Sequence, residues 1–236
     1  MRYSQLSVAA AVIIGFGGAG VAAAGTGAPP GSYSLLKYAL SPGDQGQTGQ
    51  VTCFATGYTG YGVLMNEQGI PGGPMSPAYV CSQVDGGLLD QVLSFEQQQG
   101  IDTAADYPPG SGTPTDAQRA NAAHYKLSGY QDLSGGDRRT AVETAIAAGQ
   151  PVVFGFQARD SFETLTKGNA DYNPQPTERV LGGHVVTIVG YDENGITAEN
   201  SWGTNWGDGG FFTAPWSFLT GSDVDSIYAM GMIANS

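Results

Sequence analysis

Part-way along this 236-residue chain the spacing of apolar residues changes period, and that change limits the folds open to it. Residues 51–68 and 76–98 carry apolar groups at three- and four-residue intervals, Leu88, Leu89, Val92 and Leu93 among them, the pattern of an amphipathic helix. Between them Ile70-Pro71-Gly72-Gly73-Pro74 has to turn. Tyr107 to Thr115, with Pro108, Pro109 and Pro114, reads as a second loop. Further on the runs are short, β-rich and bounded by Gly, Asp or Asn: Val152 to Phe156, Val185 to Val189, and Gly210 to Thr213. One more helix, Arg138 to Ala148, carries Ala141, Ala145 and Ala148 on one stripe. Helices first and strands after predict an α+β layout, with a helical lobe over 42–130 packed against a small antiparallel β-barrel over 131–236. A cleft between two such lobes is a common place for a site.

The first 24 residues stand apart. Arg2 supplies a short positive end, Leu6 to Ala24 is apolar and uncharged, and Ala22-Ala23-Ala24 offers the small residues a signal peptidase requires. This predicts a cleaved signal over 1–24, then a short leader and N-terminal strand over 25–41. The alternative is an N-terminal membrane anchor, because the run approaches the ~20 residues that span a bilayer. Gly15, Gly17, Gly18 and Gly20 favour removal, and with it a secreted or periplasmic monomer with no stable membrane insertion. The formal net charge of −12, with nine scattered basic residues, excludes nucleic acid and anionic membrane surfaces as partners. Two histidines and two cysteines show no ligand spacing, so neither a metal nor another cofactor is expected.

His184 enters a strand in Gly182-Gly183-His184-Val185-Val186, and Asn200 follows sixteen residues later in Asn200-Ser201-Trp202-Gly203. The turn Asp192-Glu193-Asn194-Gly195 between them would set two strands, and so the two side chains, side by side. An amide oxygen that accepts an imidazole N–H selects which ring nitrogen faces a reaction, and Trp202 would shield that bond from water. Taken alone, a histidine opening a strand reads as structural. The whole stretch Gly182–Phe212, GGHVVTIVGYDENGITAENSWGTNWGDGGFF, closely resembles the His–Asn segment of the papain family of cysteine peptidases. That family shows a His before a V-G-Y strand, then N-S-W-G and a W-G-x-x-G-(F/Y) turn.

The resemblance implies that His184 is a general base and Asn200 its orienting partner. It extends over nearly all of the chain beyond the signal. Gly43 to Gln47 looks like the loop whose Gln, here Gln45, supplies an oxyanion-hole donor. Ser76-Pro77-Ala78-Tyr79 matches the start of the second helix, and Asp85-Gly86-Gly87 the pair, Gly86 and Gly87, whose backbone pairs with an extended substrate. The D-Q-G-Q-T-G form is most like the bacterial branch. A papain-like two-lobe fold, peptide-bond hydrolysis and a peptide or protein substrate or inhibitor are what the resemblance implies. Leu89 and Gly183 would line an open, apolar selectivity pocket near the glycine pair.

The pattern breaks at the nucleophile. The family places a Cys six residues after the oxyanion Gln; here that position is Val51, which has no lone pair and no acidic proton. In one reading the register is undisturbed, Val51 holds the nucleophile's place, and Cys53, ~200° around the helix, points into the fold. In the other the loop has slipped by two, Gln47 precedes Cys53 by six, and Cys53 is the catalytic thiol beside His184. Cys81 bears on the choice. The family's usual disulfide positions are empty, and Cys53 and Cys81 are either a substitute bridge or two buried free thiols.

Overall fold

The structure, a computed structural model, describes residues 27–84 and 87–234; the N-terminal apolar segment and Gly86 lie outside the described residues. Seven strands form one antiparallel sheet: β1 Tyr33–Ser34, β2 Tyr130–Asp132, β3 Val152–Arg159, β4 Val180–Tyr191, β5 Gly195–Glu199, β6 Phe211–Pro215 and β7 Val224–Met230. Their order is β2-β7-β3-β4-β5-β6, with β1 alongside β4. The expected barrel does not close. Its two edges find other neighbours, β2 the helix Leu89–Gln98, and β6 the segment around Asp171, which bridges to Thr213. All three β-rich runs read from the sequence are strands.

The first long helix runs through residues 51–68 as three continuous segments, Val51–Cys53, a π-helical stretch Phe54–Gly60, and Tyr61–Gln68. It stops at Gly69, whose φ of 66° only glycine adopts cheaply and whose N–H bonds Met65 O. The continuous helix expected over 76–98 is instead two, Pro77–Cys81 and Leu89–Gln98. Ser76 caps the first by accepting from Tyr79 N–H, with Pro77 at its first position, and the chain between the two carries the glycine pair. The helix Arg138–Ala147 buries Val142, Ala145 and Ile146 rather than an alanine stripe, because the larger side chains remove more apolar area from water.

Alternation along β3 divides two hydrophobic cores. Val152, Phe154, Phe156 and Ala158 enter one with Phe162, Tyr172 and Phe212. Val153 enters the other, among Leu64, Met65, Tyr79 and Leu93 of the helices. Leu89 belongs to this second core and is 6% exposed, so it lines no open pocket; its neighbour Leu88 is the exposed one, at 60%. No helix among the described residues is long and apolar enough to cross a membrane.

Polar contacts lock the first helix to the sheet. Thr187 Oγ1–H donates to Ala55 O at 2.7 Å, and Thr59 Oγ1–H donates to Glu199 Oε1 at 3.0 Å. Thr187 and Glu199 are cross-strand partners on β4 and β5, so one row of the sheet grips one turn of the helix.

Candidate functional site

The β4–β5 hairpin forms at the turn read from the sequence, where Asp192 Oδ1 accepts from the N–H groups of Asn194 and Gly195. Asn200 is the first residue beyond β5, and its Oδ1 lies 2.8 Å from His184 Nε2. The same oxygen accepts from Ser201 N–H at 2.8 Å. A backbone N–H can only donate, so the atom facing it is the oxygen, and His184 Nε2 must carry the proton. His184 Nδ1 is then the bare, accepting nitrogen.

His184 is buried, packed by Trp202, Phe162 and Phe156 with ring centroids 5.1, 5.5 and 5.8 Å away. Burial penalises the charged ring and pulls its pKa down to about 4, against the opposing pull of the Asn200 hydrogen bond. At neutral pH the imidazole is an uncharged base. Asn200→Ala removes the one contact that favours the charged form, so NMR titration of the ring should find its pKa lower still. A rise would mean that the amide does not orient this ring. The chain has only two histidines, which keeps the spectrum simple.

Gln45 is clamped to the strand end beyond Asn200. Its N–H donates to Ser201 O at 2.9 Å, and Ser201 Oγ–H donates to Gln45 Oε1. Asp44 bridges Trp202, and Gly203 N–H donates to Gly43 O at 2.9 Å. With Oε1 committed to Ser201, the Nε2 end of Gln45 is the remaining donor. Ser201 and the two phenylalanines are site residues that the sequence reading missed. Ser201 had a signal, its place beside Asn200; Phe162, on the short helix Asp160–Glu163, had none.

Val51 opens the first helix and is partly exposed. Cys53 is fully buried and bonded to Cys81, with their Cα atoms 6.0 Å apart. This corrects two expectations. Cys53 offers no thiol to His184, since a sulfur in a disulfide has no lone thiolate to ionise, and the pair are not two free thiols. Burial beside the helix Pro77–Cys81 puts the two sulfurs within bonding reach. Thr52 Oγ1–H donates to Gly87 O at 2.6 Å, tying the glycine-pair loop to the same helix. Gly183 is exposed; a methyl built on it would meet only Gln157 Nε2, at 4.0 Å.

The disulfide closes a loop of 28 residues. In the chain-entropy view such a crosslink is worth about 3–4 kcal/mol. The C53A/C81A double variant should lose about that much, read as a lower denaturant midpoint; an unchanged midpoint would show that the bridge does not form.

Residues 76–217 match the family model described as papain family cysteine protease, a span that includes His184 and Asn200 and begins after Val51. Among curated proteins, cysteine proteinase 3 of Entamoeba histolytica is 32% identical over 157 residues, covering 64% of this chain and 48% of that protein. A cathepsin L-like peptidase of Aedes aegypti is 32% identical over 184 residues, covering 71% of this chain and 53% of that one. The chain thus spans about half the length of these relatives. Among solved structures, xylellain, a cysteine protease from Xylella fastidiosa, superposes with a TM-score of 0.77 over 88% of each chain at 21% identity. The likeness of architecture is therefore papain-like.

Proposed function

The chain belongs to the papain family of cysteine peptidases, and from that premise we propose that it holds extended peptides in the cleft beside His184 without cutting them. The observation that carries this reading is a sulfur count. The chain has two cysteines, and they are bonded to each other. Val51, six residues after Gln45, presents only an isopropyl group where the family presents a thiol. Loss of the nucleophile in another hydrolase costs about 10⁶ in kcat, which leaves such a protein practically inert.

The rest of the machinery supports retained binding. His184 and Asn200 are in register, Gln45 is held by Ser201, and Gly86 and Gly87 are free of side chains that would bar main-chain pairing with a peptide. The bridge supports an oxidising compartment, in keeping with export as a secreted or periplasmic monomer. The D-Q-G-Q-T-G loop supports a bacterial-type member.

Treating the folded protein with a thiol-directed epoxide and with iodoacetamide should label nothing, while labelled peptides or a peptide-like inhibitor bind in fluorescence polarisation. Labelling of Cys53 that disappears in H184A would instead establish an active endopeptidase. Peptide hydrolysis by the wild-type chain would end the non-cutting reading.

A further inference from the structure

The turn that follows the helix Leu89–Gln98 gathers oxygen atoms with no positive group to meet them. Asp102 O accepts from Ser76 N–H at 2.8 Å, so the start of the helix Pro77–Cys81 hangs on this segment. From Thr103 the chain curls back. Asp106 N–H donates to Thr103 Oγ1 at 3.2 Å, and Tyr107 N–H donates to Thr103 O at 2.9 Å. One face of the helix Asp116–Ala122 holds the curl. Gln118 Nε2–H donates to Asp106 O at 2.8 Å, and Asn121, three residues on and so on the same face, donates through Nδ2–H to Asp102 Oδ1 at 2.5 Å. The Asp106 side chain is thereby set within hydrogen-bonding reach of Asp102.

Asp102 is fully buried. Its Oδ1 accepts from Asn121 and from Thr103 N–H at 2.8 Å, but its Oδ2 is buried with no partner among the described residues. An ionised Asp106 cannot serve as that partner, because a carboxylate only accepts. Among the described residues no Lys or Arg pairs with either carboxyl, and Arg119 on the adjoining helix is turned to Asp116. A buried carboxylate beside a second carboxylate persists only with a proton or a cation between them. Burial, and then Asp106, push the Asp102 pKa up against the hydrogen bonds from Asn121 and Thr103, as befits a charge without its counterion.

The chemistry of the pair chooses the cation. Asp106 is exposed, so the site opens to solvent and leaves room for water. The donors are hard oxygens, two carboxylates with the Thr103 hydroxyl at their edge, and calcium takes such oxygens in loose geometry with water filling the other positions. The spacing of histidines and cysteines excluded a nitrogen- or sulfur-bound metal; it does not bear on a site built from oxygen.

We infer that Asp102 and Asp106 bind a calcium ion, with Asp102 Oδ2 as the buried ligand and Asp106 as the outer one. The ion closes the curl on itself. Both ends of that curl are tied to Ser76, through Asp102 O and through Tyr107 O, which accepts from Ser76 Oγ–H at 2.6 Å. Calcium therefore braces the helix that carries Cys81, and does so whether or not the cleft holds a peptide.

The test is thermal unfolding of the full chain in about 10 mM calcium chloride, well above the ~10⁻⁴–10⁻³ M at which extracellular calcium modules bind, against sodium chloride of equal ionic strength. Calcium should raise the wild-type Tm by about 3–8 °C. D106N, a substitution at the surface, should remove the rise. D90N, at an exposed carboxylate on the helix Leu89–Gln98, should keep it, which separates this site from a general response of a chain with net charge −12. Terbium used as a luminescent stand-in for calcium should bind wild-type and D90N alike, and D106N on the order of tenfold more weakly. No calcium-dependent rise in the wild-type chain, or a rise of equal size in D106N, overturns the site. A wild-type Tm indifferent to calcium together with a more stable D106N would assign the pair a shared proton instead.

Discussion

V51C should hydrolyse a fluorogenic peptide on the order of a thousandfold faster than the wild-type chain. The variant returns sulfur to the position six residues after Gln45, at the start of the first helix, where a partly exposed side chain now contributes nothing to chemistry. On the proposed reading the other groups the reaction would use are His184, Asn200 and Gln45. His184 Nδ1 is bare because Nε2 donates to Asn200, and Gln45 Nε2 is held ready by Ser201. Burial keeps the ring neutral, which suits a base that must accept the thiol proton, and the resulting thiolate would compensate the charge that burial now penalises. The gain should fall short of the full ~10⁶ separating hydrolases with and without a nucleophile, because a single substitution restores the thiol without tuning its surroundings. Two controls decide the cause. H184A in the V51C background should abolish the activity, and iodoacetamide should label position 51 alone. A V51C protein whose new thiol reacts no faster than free cysteine would show that Val51 does not stand beside His184.

Thermal stability should fall steadily from about pH 5 to pH 8, the reverse of the usual trend toward neutrality. Two fully buried carboxyls are responsible. Glu96 takes a 2.7 Å hydrogen bond from Thr56, and Glu199 takes its bond from Thr59, three residues on along the π-helical stretch. Burial raises both pKa values to about 8, and the threonine hydrogen bonds only partly offset it. Neither Glu96 Oε2 nor Glu199 Oε2 has a hydrogen-bond partner among the described residues.

Unfolded, both carboxyls ionise near pH 4.5; folded, they keep their protons to about pH 8. The native state therefore binds more protons across that window, and each group withdraws about 1.4 kcal/mol per pH unit as pH rises. The loss is complete above the folded pKa. His184 acts in the opposite sense, since its folded pKa of about 4 means that stability drops as pH falls through 6.5 toward 4. Two carboxyls outweigh one imidazole, so the net slope stays negative above about pH 5. Asp137, Glu178 and Asp223, whose pKa values are lowered by hydrogen bonds and Arg159, act only at more acid pH.

E96Q and E199Q keep the shape and the threonine contact without a titratable proton. Each should raise stability at pH 8 by several kcal/mol, equivalent to roughly 10 °C in Tm for a domain of this size, and flatten the profile. A wild-type Tm that is level from pH 5 to 8, or Gln variants that melt earlier at pH 8, would show that these carboxyls are ionised in the folded state.

How much of this was legible beforehand follows from what each signal depends on. The β4–β5 hairpin and the His184–Asn200 contact lie sixteen residues apart along one turn, so local spacing alone determined them. The division between helical and strand-rich halves likewise follows from apolar period, which needs no knowledge of the partner surface. The absence of sulfur at position 51 is a fact of sequence. Other features join residues far apart along the chain. The Cys53–Cys81 bond, the clasp of Gln45 by Ser201, the aromatic wall around His184 and the failure of the sheet to close into a barrel all depend on which surfaces meet. A linear pattern carries the chemistry of each residue; only packing decides which of them share the few ångströms over which a hydrogen bond or a disulfide forms, and which carboxyl is stripped of water.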